Sequence, residues 1–173
     1  DIPDGITYLD SASHSPLTSF SFREGYKGLT RKYHPWELDP KTPPTEAENL
    51  RVSFSNILGV CSSNIAIINS TSYGIETAAK NLKVDKGEKI IVLQDQFPSN
   101  FLTWQRKAID AQAQLVIIPR PKNYDWTTKV LDILDKSVAI AALPPCHWTD
   151  GSFLDLEKIG KRCRELEIAL VVD

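Results

Sequence analysis

Methionine is absent from the 173 residues, and cysteine is scarce at three. Cys61, Cys146 and Cys163 are odd in number and show no C-x-x-C spacing. That excludes a disulfide scaffold and a structural zinc site; no metal site is expected, and a reducing, cytoplasmic setting is. Neither sign of charge dominates: 20 Lys+Arg against 22 Asp+Glu leave a net charge of -2. The basic footprint of a nucleic-acid binder or of a protein seated on anionic membranes is therefore missing. No apolar run approaches the roughly 20 residues of a spanning helix. The opening residues show no basic stretch followed by an apolar one, so no leader is expected. Neither G-x-G-x-x-G nor G-x-x-x-x-G-K-[ST] occurs, which disfavours a dinucleotide fold and a P-loop. What is present is ordinary globular composition, 42% hydrophobic and 24% charged, in a chain long enough to bury a core. The missing methionine and a final apolar run, Ile168–Asp173, that stops at a strand tip lead to a further expectation. The chain is the front part of a longer polypeptide.

From about residue 65 the sequence alternates between two patterns. Continuous Ile- and Val-rich runs at Ile65–Asn69, Lys89–Gln94, Leu115–Pro119, Val138–Leu143 and Ile168–Asp173 fit strands covered on both faces. Helical stretches fall between them at about Tyr73–Leu82, Ser99–Ala113, Thr127–Asp135 and Asp155–Leu166. In the last of these, Leu156, Ile159, Cys163 and Leu166 recur at spacings of three and four, one face of a helix. Such alternation predicts right-handed βαβ units and an α/β fold: three αβα layers around a mainly parallel sheet.

Residues 1–60 differ and are expected as a separate N-terminal segment, with 61–173 as the start of a larger domain. Tyr8–Asp10 reads as a short extended piece. Ser15-Pro16 suits the N-cap and first position of a helix running toward about Lys32. His34–Pro44, with its prolines, reads as a loop. Thr45 and Glu48 match a T-x-x-E capping box opening a helix that ends at Gly59.

Ligands of open α/β sheets sit beyond the carboxyl ends of the strands, so candidate chemistry is sought there. After the first run, Ser70, Thr71 and Ser72 meet a helix N-terminus, where unpaired amides and hydroxyls favour a phosphate. Simple N-capping by Ser72 explains that segment equally well. After the second, Phe97 offers a face that stacks on a planar ring, or else core packing. After the fourth, Cys146, His147, Trp148, Thr149 and Asp150 crowd together. Adjacent residues on an extended chain point apart, which disfavours Cys146 and His147 as a nucleophile–base or metal pair. The last run ends on Asp173, a carboxylate able to hold a ring nitrogen protonated. A phosphate cup, a stacking face and an acid for a pyridine nitrogen are together the needs of pyridoxal 5′-phosphate.

The chain resembles the class V aminotransferase family of fold-type I pyridoxal 5′-phosphate enzymes, which includes cysteine desulfurases, kynureninase-like hydrolases and isopenicillin N epimerase-like proteins. The resemblance is carried, in order, by Tyr8–Ala12, Leu50–Gly59, Ser70–Ile75, Gln96–Asn100 with Trp104, His147–Gly151 with Leu154–Leu156, and Val171–Asp173. It implies the fold-type I large domain, incomplete because the Schiff-base lysine of the family lies beyond Asp173. It further implies that Ser70, Thr71 and Ser72 hold the coenzyme phosphate, Phe97 stacks on its ring, and Asp173 pairs with the ring nitrogen. Trp148 stands where the family often has Asn, Ser or Thr to bond the phenolic oxygen, and Thr149 is the alternative donor. An amino-acid substrate and a homodimer are implied as well. Transamination, Cβ-group elimination and epimerisation share this machinery. The alternative reading is a non-catalytic α/β ligand-binding or assembly module on the same fold.

Overall fold

A hydroxyl placed just ahead of a polar–aromatic run starts the first helix, but it is the hydroxyl of Thr18. In the computed structural model, which describes residues 2–173, α1 spans Ser19–Thr30. Thr18 is its extended N-cap, and the Thr18 Oγ1 accepts from the Ser21 amide at 3.1 Å. The start expected at Ser15-Pro16 is thus displaced, because the capping bond forms three residues later. Single turns of 3-10 helix follow at Arg31–Tyr33 and Pro35–Glu37. Helix α2 spans Thr42–Leu58, with prolines in its first turn, where a missing N–H leaves no bond unmade. The capping box expected at Thr45 and Glu48 does not form. Thr45 lies inside the helix and its hydroxyl donates to the Lys41 carbonyl at 2.8 Å, while Glu48 pairs with Arg51 at 3.2 Å. Gly59 ends α2 as expected, at φ 67°, a left-handed turn that glycine enters without strain.

The chain divides into two compact units, one ending at Ile67 and one spanning Ile68–Asp173; the division expected at residue 60 lies inside the first. The second unit opens with α3, Thr71–Asn81. Then come β1 (Lys89–Leu93), α4 (Pro98–Ala111), β2 (Gln114–Ile118), α5 (Trp126–Ile133), β3 (Val138–Leu143), α6 (Leu156–Leu166) and β4 (Ala169–Val172). All strand pairings are parallel and the order is β2-β1-β3-β4. Ile91 of β1 faces Val116 of β2 and Ala141 of β3.

The expected strand at Ile65–Asn69 is corrected: it joins no ladder among the described residues. The backbone is extended at Ile65 (φ -104°, ψ 124°), yet Ile67 and Ile68 are about half exposed. Branched apolar side chains favour extension, but a strand exists only beside a partner, and no partner flanks this run.

Alternate residues of each central strand point to opposite faces. Ile90, Val92, Ile140 and Ala142 pack with Ile75 and Ala79 of α3 and with Trp104 and Ala108 of α4. Ile91, Leu93, Ala141 and Leu143 pack with Trp126 and Val130 of α5 and with Ile159 and Cys163 of α6. The result is the αβα sandwich expected from the sequence. Each fully buried Ile or Leu contributes about 1.5–3 kcal/mol. The second layer is also capped well. Asp125 and Asp155 accept the Thr128 and Lys158 amides, both at 3.0 Å. The Thr128 hydroxyl and the Lys158 ammonium, with these amides second, hold both carboxyls below the usual carboxylate range.

Candidate active site at the carboxyl edge of the sheet

Where β1 ends, the buried amide of Gln96 replaces a rung of the ladder. Its Oε1 accepts the Leu93 amide at 2.8 Å and its Nε2 donates to the Ala142 carbonyl at 3.0 Å. This fixes the corner between β1 and β3. The chain reverses at Asp95, whose φ of 56° is left-handed, and Phe97 emerges as the N-cap of α4. Pro98 then takes the first helical position, where its fixed φ suits the helix.

Trp148, on the loop after β3, stands edge-on to Phe97, with ring centroids 5.5 Å apart and planes at 85°. Its indole N–H donates to the Asp95 carbonyl at 2.7 Å. Asp173, at the tip of β4, extends the ladder by donating its amide to the Leu143 carbonyl at 3.1 Å. Its side chain is partly buried, and burial pushes the carboxyl above its ordinary value. Among the described residues no cation lies within ion-pair distance of it.

Thr71, Phe97, Trp148 and Asp173 line one cleft of about 230 Å³, together with Gln96, Ser99, Pro144 and Cys146. The structure therefore brings together four of the residues singled out from sequence. It does not bring Ser70, Ser72 or Thr149 to this cleft. The Ser70 hydroxyl is the N-cap of α3 and accepts the Tyr73 amide at 3.2 Å. That corrects the N-cap expected at Ser72, which lies one residue inside the helix. Ser70 and Ser72 line a neighbouring hollow with Tyr73 and Lys80. Thr149 turns its hydroxyl to His147 and Arg120.

Cys146 and His147 do part company. Cys146 faces the cleft, whereas His147 is fully buried and stacked on Trp126 at 5.1 Å with planes 8° apart. No cluster of three His, Cys, Asp or Glu side chains fit to hold a metal occurs among the described residues. Sequence reasoning missed Gln96 and Arg120. The one available signal for Gln96 was a polar residue wedged between an apolar strand and an aromatic N-cap. Arg120 left none.

A family model described as aminotransferase class-V matches residues 39–173. The chain belongs to the class V aminotransferase family. A kynureninase of Lodderomyces elongisporus is 27% identical over 62% of this chain and 26% of its own length. A cysteine desulfurase of Enterobacter sp. is 24% identical over 97% of this chain and 44% of its own length. The solved complex of the cystine C-S lyase C-DES with cysteine persulfide superposes with a TM-score of 0.81 at 18% identity. It covers 98% of this chain and 46% of the lyase. A cysteine desulfurase of Thermococcus onnurineus gives a TM-score of 0.74 at 18% identity, over 87% of this chain and 40% of its own. These likenesses fix the fold as that of the fold-type I enzymes. The chain spans less than half the length of each of these relatives.

The cleft fits the coenzyme on which this family depends. The partly buried Asp173 carboxyl could face a cationic ring nitrogen, the exposed Phe97 ring lines the same cleft, and Thr71 opens a helix whose first amides have no intrahelical acceptor.

Proposed function

We propose that this chain supplies part of the coenzyme site of a pyridoxal 5′-phosphate enzyme acting on an amino acid. The observation that carries the reading is the convergence of Thr71, Phe97, Trp148 and Asp173 on one cleft at the carboxyl edge of a parallel sheet. Asp173 would hold the ring nitrogen, Phe97 would cover a ring face, and the N-terminus of α3 at Thr71 would take the phosphate. Ser70 would act through the backbone, by shaping that N-terminus, rather than by direct contact. Bound there, the coenzyme supplies an electron sink for bonds at the substrate's Cα.

Trp148 would close the cleft as a wall rather than donate to the phenolic oxygen, because its N–H is committed to Asp95. Cleavage of a side-chain bond is favoured over amino-group transfer, since the matched relatives include cysteine desulfurases and kynureninases. A homodimer and a cytoplasmic location belong to the same proposal. Among the described residues no helix is long and apolar enough to cross a membrane.

Titrating the intact protein with pyridoxal 5′-phosphate tests the reading. The expected result is a yellow chromophore that borohydride bleaches while fixing the coenzyme covalently to the protein. A protein that stays colourless would overturn the proposal in favour of a non-catalytic module.

A further inference from the structure

Behind the cleft, and outside it, lies a connected set of polar side chains that the coenzyme reading does not use. Its hydrogen-bond directions are forced. The Gln94 carbonyl, 3.0 Å from His147 Nε2, can only accept, so Nε2 carries the proton. Nδ1 faces the Thr149 amide at 3.4 Å, which can only donate, so Nδ1 is the acceptor and takes the Thr149 hydroxyl at 2.9 Å. The Thr149 oxygen in turn accepts from Arg120 Nη2 at 2.8 Å. Arg120 also pairs with Asp150 and lies 3.6 Å from Asp95, while its amide donates to the Gln94 side chain at 3.0 Å. The relay thus runs from Arg120, two residues past β2, through the loop after β3, to the end of β1. The fully buried His147 ring anchors it against Trp126, over which the guanidinium sits at 5.8 Å.

Two members of the relay, Thr149 and Arg120, connect to the aromatic wall of the cleft. Thr149 is the chain neighbour of Trp148. Asp95, held by Arg120, presents the carbonyl that fixes the Trp148 indole and lies two residues before Phe97. Asp95 is also left-handed, a conformation aspartate tolerates better than most residues and one that lets the chain reverse here.

We propose that Arg120, Thr149 and His147 are positioning residues. Their relay clamps the loop after β3 onto the end of β1 and so holds the Phe97–Trp148 pair in place for the coenzyme. The inference rests on the coenzyme reading given above.

The test compares the intact wild-type protein with Thr149→Val, which removes the hydroxyl and keeps the shape, and Thr149→Ser, which restores the hydroxyl. The readouts are the dissociation constant for pyridoxal 5′-phosphate, the near-ultraviolet circular dichroism of the coenzyme-free protein, and the melting temperature. Thr149→Val is expected to bind the coenzyme about tenfold more weakly, as for one lost hydrogen bond. It should also lose aromatic dichroism while still melting cooperatively, and Thr149→Ser should return both readouts to within about twofold of wild type. Wild-type affinity and dichroism in Thr149→Val, or a Thr149→Ser variant as impaired as Thr149→Val, would overturn the clamp. A wild-type protein that binds no pyridoxal 5′-phosphate overturns the coenzyme reading, and with it the purpose assigned to the clamp. A changed dichroism in Thr149→Val would then show the relay as architecture alone.

Discussion

Each face of the sheet buries one tryptophan completely, and the two satisfy their indole N–H groups in different ways. Trp104, on the α3–α4 face, donates to Asn100 at 2.5 Å, one turn back along its own helix. Trp126, on the α5–α6 face, donates to Ser152 at 2.9 Å, across 26 residues, on the loop that also carries Trp148. One face thus keeps its tryptophan's hydrogen bond inside a single helix, and touches the cleft only through the first turn of that helix. The other ties its packing to the loop of the candidate site, and a change in that core is felt at the cleft.

The sharpest way to break this contrast is a pair of variants. Trp104→Ala should lower stability by about 3–5 kcal/mol, read by chemical denaturation, through the cavity it leaves. Trp126→Phe keeps most of the volume and costs less, but it frees Ser152, and its near-ultraviolet dichroism should change at the cleft aromatics. Equal disturbance of the cleft by both variants would dissolve the distinction between the faces.

A smaller effect concerns the acid at the edge. Burial raises the Asp173 carboxyl above its ordinary value, so the folded state holds that proton more tightly than the unfolded chain does. The stabilising contribution is complete below the unfolded value and is lost as pH rises through the raised folded value. Asp173→Asn, which stays neutral, should therefore show a smaller drop in Tm than wild type between about pH 4 and pH 7. An identical drop in the two proteins would place the pH dependence elsewhere.

The smallest effect lies on the Trp104 side. Gln112 ends α4 at φ 53°. Gln112→Gly should relieve that strain and raise stability by about 1 kcal/mol in denaturant titrations. With no link to the loop after β3, it should leave the dichroism of the cleft untouched.

The sandwich was legible because its signals are local. Lys89–Leu93 and Val138–Leu143 are apolar without interruption, and the spacing of Ile159 and Cys163 predicted the face on which both are buried. That Phe97 and Asp173 would stand at one edge was legible because a strand end is a meaningful address in a parallel sheet. Pairing was not. Ile65–Asn69 has the composition of a strand, and composition says nothing of whether a neighbour lies alongside. Nor was the relay. His147 and Gln94 are 53 residues apart, Arg120 and Thr149 are 29 apart, and contacts of that kind leave no periodic trace. Capping was legible in kind but misplaced at Ser15, Thr45 and Ser72, because neighbouring hydroxyls or prolines offered a better start two to four residues away.

The strand order β2-β1-β3-β4 has a practical consequence. The outermost strands each present, among the described residues, a row of backbone donors and acceptors with no ladder partner. Such a rim can template a further extended strand unless charge, proline or a bulge blunts it. In concentrated preparations the first species to grow should be a rim-to-rim stack, visible as thioflavin-positive material, and a proline introduced into β2 or β4 is the remedy to try before altering surface charge.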